Sequence, residues 1–262
     1  MKQFFLIFFS LLNFLLCNAQ QKNYSQYVDP MTGTGGHGHT FPGATLPFGM
    51  VQLSPDTRID GSWDGCSGYH YSDSVIYGFS HTHLSGTGVS DWGDILLMPT
   101  SEHSVDKKIY SSKFLHKNEK ANAGYYAVKL EDDNIEVELT STTRAGFHKY
   151  VFNNSGNKNV VLDLTHRDKT LPGSYVKVLG NHKLEGCRIS QAWAQQQTVF
   201  YAIEFSQSFE FEIFIDEEEA VRGKVLKNNL YEGSNVKAIF SFNTSSGKTI
   251  YCLLYTSPSP RD

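Results

Sequence analysis

The chain has 262 residues, 23 Lys and Arg against 27 Asp and Glu, a net charge of −4, and 40% hydrophobic and 13% aromatic residues. Its basic residues are scattered and form no stripe, which argues against nucleic acid as a partner. Four cysteines, widely spaced and without a C-x-x-C pair, exclude a disulfide framework and a thiolate zinc site.

The first element is a targeting segment. Lys2, an apolar run from Phe4 to Leu16 and the small-residue end Cys17-Asn18-Ala19 follow the order of a secretory signal peptide. The run is too short for a membrane span. A signal peptide over residues 1–19, cleaved after Ala19, places the mature protein in a secreted or periplasmic location and leaves Cys66, Cys187 and Cys252, of which two can bridge.

Residues 32–43, TGTGGHGHTFPG, hold five glycines and two histidines in twelve positions. Gly33 to Gly38 fits the G-x-G-x-x-G pattern of dinucleotide sites, which needs a helix to follow so that the pyrophosphate meets its N-terminus. The next ten residues, Thr40 to Gly49, contain Pro42, Gly43, Pro47 and Gly49. Such a segment does not continue as a helix, so the nucleotide reading fails.

From Thr32 to Asp94 the chain is rich in glycine, and five of its ten histidines (His37, His39, His70, His81, His83) fall there with Trp63 and Trp92. Aromatic planes for a C–H face and polar groups for hydroxyls are what a sugar ring requires. Two other readings stay open at this level. His81 and His83, two apart, point the same way on an extended backbone, and Asp91 or Asp94 would complete a zinc site. Alternatively the histidines hydrogen-bond the backbone of a loop layer, with Trp63 and Trp92 as core.

From Tyr125 onward the hydrophobic period is near two. Strands are predicted over Tyr126–Leu130, Ile135–Leu139, His148–Phe152, Asn159–Leu164, Gln197–Phe205, Phe209–Ile215, Val236–Phe242 and Thr249–Tyr255, separated by polar turns such as Glu131-Asp132-Asp133-Asn134. Alternation with regular turn signals and no long amphipathic helix predicts an all-β fold, an antiparallel β-sandwich with a Gly/His/aromatic-rich loop layer near its N-terminus. The sandwich is expected to span residues 20–254. Residues 255–262, with Thr256-Ser257-Pro258-Ser259-Pro260, read as an unstructured or foreign tail, and the sequence as a fragment of a longer protein.

Three motifs carry a family resemblance: Tyr27-Val28-Asp29-Pro30 with residues 32–57, Trp63-Asp64-Gly65-Cys66-Ser67-Gly68-Tyr69-His70-Tyr71, and Gly78 to Gly88 with Gly93-Asp94-Ile95-Leu96-Leu97-Met98-Pro99. They resemble glycoside hydrolase family 92, calcium-dependent exo-α-mannosidases that invert anomeric configuration. Asp163-Leu164-Thr165-His166-Arg167-Asp168 and Trp193-Ala194 fit more loosely. The resemblance implies the N-terminal β-sandwich of a two-domain enzyme. The general acid, the base and most calcium contacts belong to a C-terminal (α/α)₆ barrel outside this chain. It implies a mannose-containing glycan as substrate and Ca²⁺ as cofactor. Trp63 becomes the candidate for a tryptophan beside the leaving mannose, with Asp64, Gly65, Cys66, His37, His39, His81 and His83 as candidate substrate-binding neighbours. No catalytic residue is assigned within the chain.

Overall fold

The computed structural model describes residues 22–216, 221–222, 229–243, 245 and 247–259; the signal peptide read over residues 1–19 lies outside them. Two antiparallel sheets dominate. The first runs in the order Ala44–Thr45, Gln52–Asp56, Gly78–Ser80, Leu96–Thr100, Lys158–Asp163, Val236–Phe242, Phe209–Ile215 and Val221–Arg222. The second runs Leu230–Gly233, Ser174–Val178, Lys183–Gln191, Gln197–Phe205, Thr249–Ser257, Ala145–Phe152, Ile135–Ser141, Tyr125–Leu130 and Lys120–Asn122.

Alternation in the sequence becomes alternation in burial. In Tyr125–Leu130 and Ile135–Ser141 every second side chain is buried, with Val128 opposite Val137. Those inward residues join Tyr150, Ile203 and Leu254 of the same sheet and Val160, Leu162, Ala238 and Phe240 of the other in one hydrophobic cluster. Lys158–Asp163 and Leu96–Thr100 are buried along their whole length, so they read as continuous runs and not as alternating ones. The all-β sandwich expectation holds. The described residues contain one α-helical turn, Lys107–Tyr110.

The Gly/His/aromatic-rich loop layer near the N-terminus is present as well, and the short strands that interrupt it, Ala44–Thr45, Gln52–Asp56 and Gly78–Ser80, form one edge of the first sheet. Pro55 and Pro99 sit inside strands, and a residue without an N–H demotes a strand in any sequence reading. The last strand, expected to end at Tyr255, runs to Ser257: Tyr255, Thr256 and Ser257 pair with Ala202, Tyr201 and Phe200, so residues 255–257 of the expected tail are sheet. Finally, Cys66, Cys187 and Cys252 are all free and buried.

Candidate functional site

The glycine loop closes on itself and then on the segment that follows Trp63. The Thr40 N–H donates to the Gly33 carbonyl (3.3 Å), and the Tyr71 N–H to the Thr34 carbonyl (2.9 Å). Gly38 lies directly against the Gly33 backbone, where a first side-chain carbon would overlap the carbonyl. This closure holds His39 in the left-handed region at φ 53°, a conformation that non-glycine residues adopt at a steric cost.

Trp63 opens a 3₁₀ turn, Trp63–Gly65, with the Gly65 N–H bonded to the Ser62 carbonyl (3.1 Å). Its side chain is 57% exposed, so Trp63 is not a core residue. The indole stands edge-on to the His39 ring, centroids 4.2 Å apart at 86°, and tilted against His37 at 5.1 Å. Gly88 (φ 70°) lets a neighbouring loop pass, since a first side-chain carbon there would come within 2.9 Å of the Trp63 Nε1. Asp64 completes the group, its Oδ1 lying 2.5 Å from His37 Nδ1 and 3.8 Å from His39 Nε2. The hydrogen bond from His37 holds the Asp64 carboxyl below its ordinary range. His37, His39, Trp63 and Asp64 therefore share one rim.

The other candidates divide. His83 is buried beside Phe41 (ring centroids 5.0 Å apart) and lines an open cleft of about 550 Å³ together with Phe41, Gln52 and Ser85. Its Nδ1–H donates to the Gln52 carbonyl (2.7 Å), and its Nε2 faces Ser80 Oγ (3.1 Å) and Asp56 Oδ1 (3.3 Å). Gly65 packs against the Arg58 stem. Two candidates are corrected. His81 is fully buried: its Nδ1–H donates to the Ile95 carbonyl (2.6 Å) and its Nε2 accepts from His148 Nε2 (2.9 Å), while Tyr150 donates to His148 Nδ1 (2.8 Å). Burial pulls His81 down to about 4, so this histidine is a neutral link in an interior chain. Cys66 is buried too, with burial pushing its thiol up and its carbonyl accepting from Arg167. Neither presents a side chain to the rim. The His81–His83 zinc pair does not form, because the two imidazoles engage different partners; Asp94 is taken by Thr82, Arg188 and Gln197.

Sequence reasoning missed the groups that hold this face from beneath. Asp56 is fully buried, with His83 (3.3 Å), His166 (3.4 Å) and Arg167 (3.6 Å) around its Oδ1. Burial works against ionising Asp56, but His166 and His83 outweigh it and hold the carboxyl well below the usual range. Asp168 accepts the Trp92 N–H (2.5 Å) and is hydrogen-bonded to Asp91; burial first, then that carboxylate neighbour, pushes it up to about 7. The available signal was His166-Arg167-Asp168, three ionisable residues in a row where the alternating pattern breaks.

The described residues contain one cluster of three donors close enough for a metal, His37, His39 and Asp64. Calcium takes six to eight oxygen ligands, and two imidazoles with one carboxylate do not fit it.

Comparison with known proteins bears on this face. Residues 27–254 match the glycosyl hydrolase family 92 N-terminal domain. A family 92 α-mannosidase from Bacteroides thetaiotaomicron, solved with mannoimidazole, is similar at a TM-score of 0.83 and 29% identity, over 90% of this chain and 33% of that one. Another family 92 glycosyl hydrolase gives a TM-score of 0.80 at 28% identity, over 90% and 33%. A protein described as an uncharacterized secreted glycosidase, from Arthroderma benhamiae, is 34% identical over 154 residues, 53% of this chain and 20% of that protein. The chain thus spans about a third of the solved relatives' length and a fifth of the curated relative's.

Proposed function

Because the chain belongs to glycosyl hydrolase family 92 through its N-terminal domain, we propose that it is the sugar-contacting β-sandwich of a secreted, inverting exo-α-mannosidase acting on mannose-containing N-glycans. The observation that carries this reading is the half-exposed Trp63 indole, braced by His37 and His39 with Asp64 alongside. An exposed aromatic plane offers a packing surface to the apolar face of a pyranose, and the imidazole and carboxylate edges supply donors and acceptors to hydroxyls. Phe41, His83 and Ser85 offer a second polar and aromatic surface in the cleft that they line.

Inverting hydrolysis needs a protonated acid on one side of the glycosidic bond and a base on the other, with roughly 6.5–9.5 Å between carboxyls so that a water fits. Asp91 and Asp168 are hydrogen-bonded side chain to side chain and almost fully buried, so they leave no room for that water. On this reading the acid, the base and the oxygen-rich calcium site belong to the remainder of the longer protein, and this chain contributes substrate contacts. Secretion rests on the leader-like residues 1–19 and on the secreted description of the Arthroderma relative. No helix among the described residues is long and apolar enough to cross a membrane.

The test uses the full-length gene product. It is expected to release mannose from α-mannobiose, with the β-anomer appearing first in the proton NMR spectrum. A full-length product that binds mannosides yet hydrolyses none would replace the reading with a carbohydrate-binding β-sandwich without catalysis.

A further inference from the structure

We propose that His37, His39 and Asp64 form a binding site for a borderline divalent transition ion of the zinc class, on the rim beside Trp63. The ion would take the same imidazole and carboxylate edges offered above to sugar hydroxyls, so the site is tested by metal binding alone, which stands or falls apart from mannoside hydrolysis. One donor atom from each of the three residues lies within 4.8 Å of the other two, and Asp64 Oδ1 faces both His37 Nδ1 and His39 Nε2. With zinc bonds of about 2.0–2.1 Å in tetrahedral geometry, donors stand roughly 3.3 Å apart. The observed separations of 2.5 and 3.8 Å to Asp64 Oδ1 bracket that value. For these two separations less than an ångström of movement reaches it, and the His37 side chain, 71% exposed, is free to make most of that movement.

A plain hydrogen bond accounts for His37 and Asp64. It does not account for His39. That side chain is 5% exposed, and its Nε2 is buried without a hydrogen-bond partner among the described residues while facing Asp64 at 3.8 Å. Buried polar atoms are ordinarily paired, and a cation between this nitrogen, the carboxylate and His37 would satisfy all three. The loop backbone is closed independently of any ion, and Trp63 and Gly88 pack against the His39 ring, so the ring is already oriented. Two imidazole nitrogens select zinc-like ions over calcium or magnesium, which prefer oxygen. Three protein ligands leave a position open to water or another small donor.

The test is a titration of the full chain, freed of metal with a chelator, with Zn²⁺ by calorimetry and with Co²⁺ by visible absorption. One equivalent of Zn²⁺ is expected to bind, and Co²⁺ to develop the intense bands of a low-coordinate site. His37→Ala and Asp64→Asn should each weaken Zn²⁺ binding about tenfold or more while leaving the circular dichroism spectrum unchanged, since both side chains stand at the surface. Equal amounts of Ca²⁺ should not displace the zinc. Absence of stoichiometric binding, equal binding by wild type and both variants, or displacement by Ca²⁺ would each overturn the assignment.

Discussion

Arg188 and Asp94, separated by 94 residues in sequence, meet as a salt bridge with both side chains at 0% exposure. The guanidinium also donates to the Leu164 carbonyl (2.8 Å) and the His166 carbonyl (2.7 Å), and Asp94 accepts from Thr82 Oγ1 (2.6 Å) and Gln197 Nε2 (2.6 Å). One charge pair therefore ties the Lys183–Gln191 and Gln197–Phe205 strands of the second sheet to the loops beneath the candidate face.

Removing one partner of a buried pair leaves an uncompensated charge, which typically costs about 3–5 kcal/mol. Arg188→Met should lower the unfolding free energy of the chain by that order in a urea titration. A loss within about 1 kcal/mol would mean that water reaches Asp94 and that the pair is not the tie described.

Asp168 sets a pH dependence of known sign. Its carboxyl is raised to about 7 by burial and by Asp91, against an ordinary value near 3.8, so the folded protein binds this proton more tightly than the unfolded chain. The stability it contributes is fully present below about pH 4 and is lost as pH rises through about 7. His81, pulled down to about 4, acts in the opposite sense over much of that window, so the difference from a variant is the useful quantity. Wild type minus Asp168→Asn should fall between pH 4 and 7, by at most about 1.4 kcal/mol per pH unit for one proton, and then level off. A flat difference would show that Asp168 ionises normally.

Trp63→Ala addresses the sugar contact in the full-length protein. Stacking on the leaving-group mannose is worth roughly 1–2 kcal/mol by the area an indole covers. The variant should therefore lose about tenfold in kcat/KM on a mannobiose, about 1.4 kcal/mol being a factor of ten. An activated aryl mannoside without the second sugar should lose much less. Because the indole is half exposed, the melting temperature should barely move; equal losses on both substrates with a lowered melting point would remove Trp63 from the site.

The 262-residue chain should release no mannose from aryl or disaccharide α-mannosides, with or without Ca²⁺, because its buried carboxyl pair, Asp91 and Asp168, is bonded side chain to side chain and leaves no room for a water. Calcium-dependent release by this polypeptide would place the acid and base within it.

The sequence by itself determined the fold class. Period-two alternation in segments such as Tyr126–Leu130 and Phe209–Ile215 obliges one face to be buried, and the strands formed where that pattern lay. Local composition also marked the rim: Trp63 and Asp64 occupy one motif, His37 and His39 another, and they meet. Only the tertiary structure decided which histidines face outward. His81 and His83 look alike in sequence, yet one closes an interior relay with His148 and Tyr150 and the other lines the cleft. Lys183–Gln191 was illegible for the same reason. Gly186 and Arg188 break its alternation, and Arg188 is tolerated inside because Asp94, far away in the chain, is there to receive it. A buried charge is specified by its partner, and the partner is fixed by the pairing of distant strands, which local patterning does not encode.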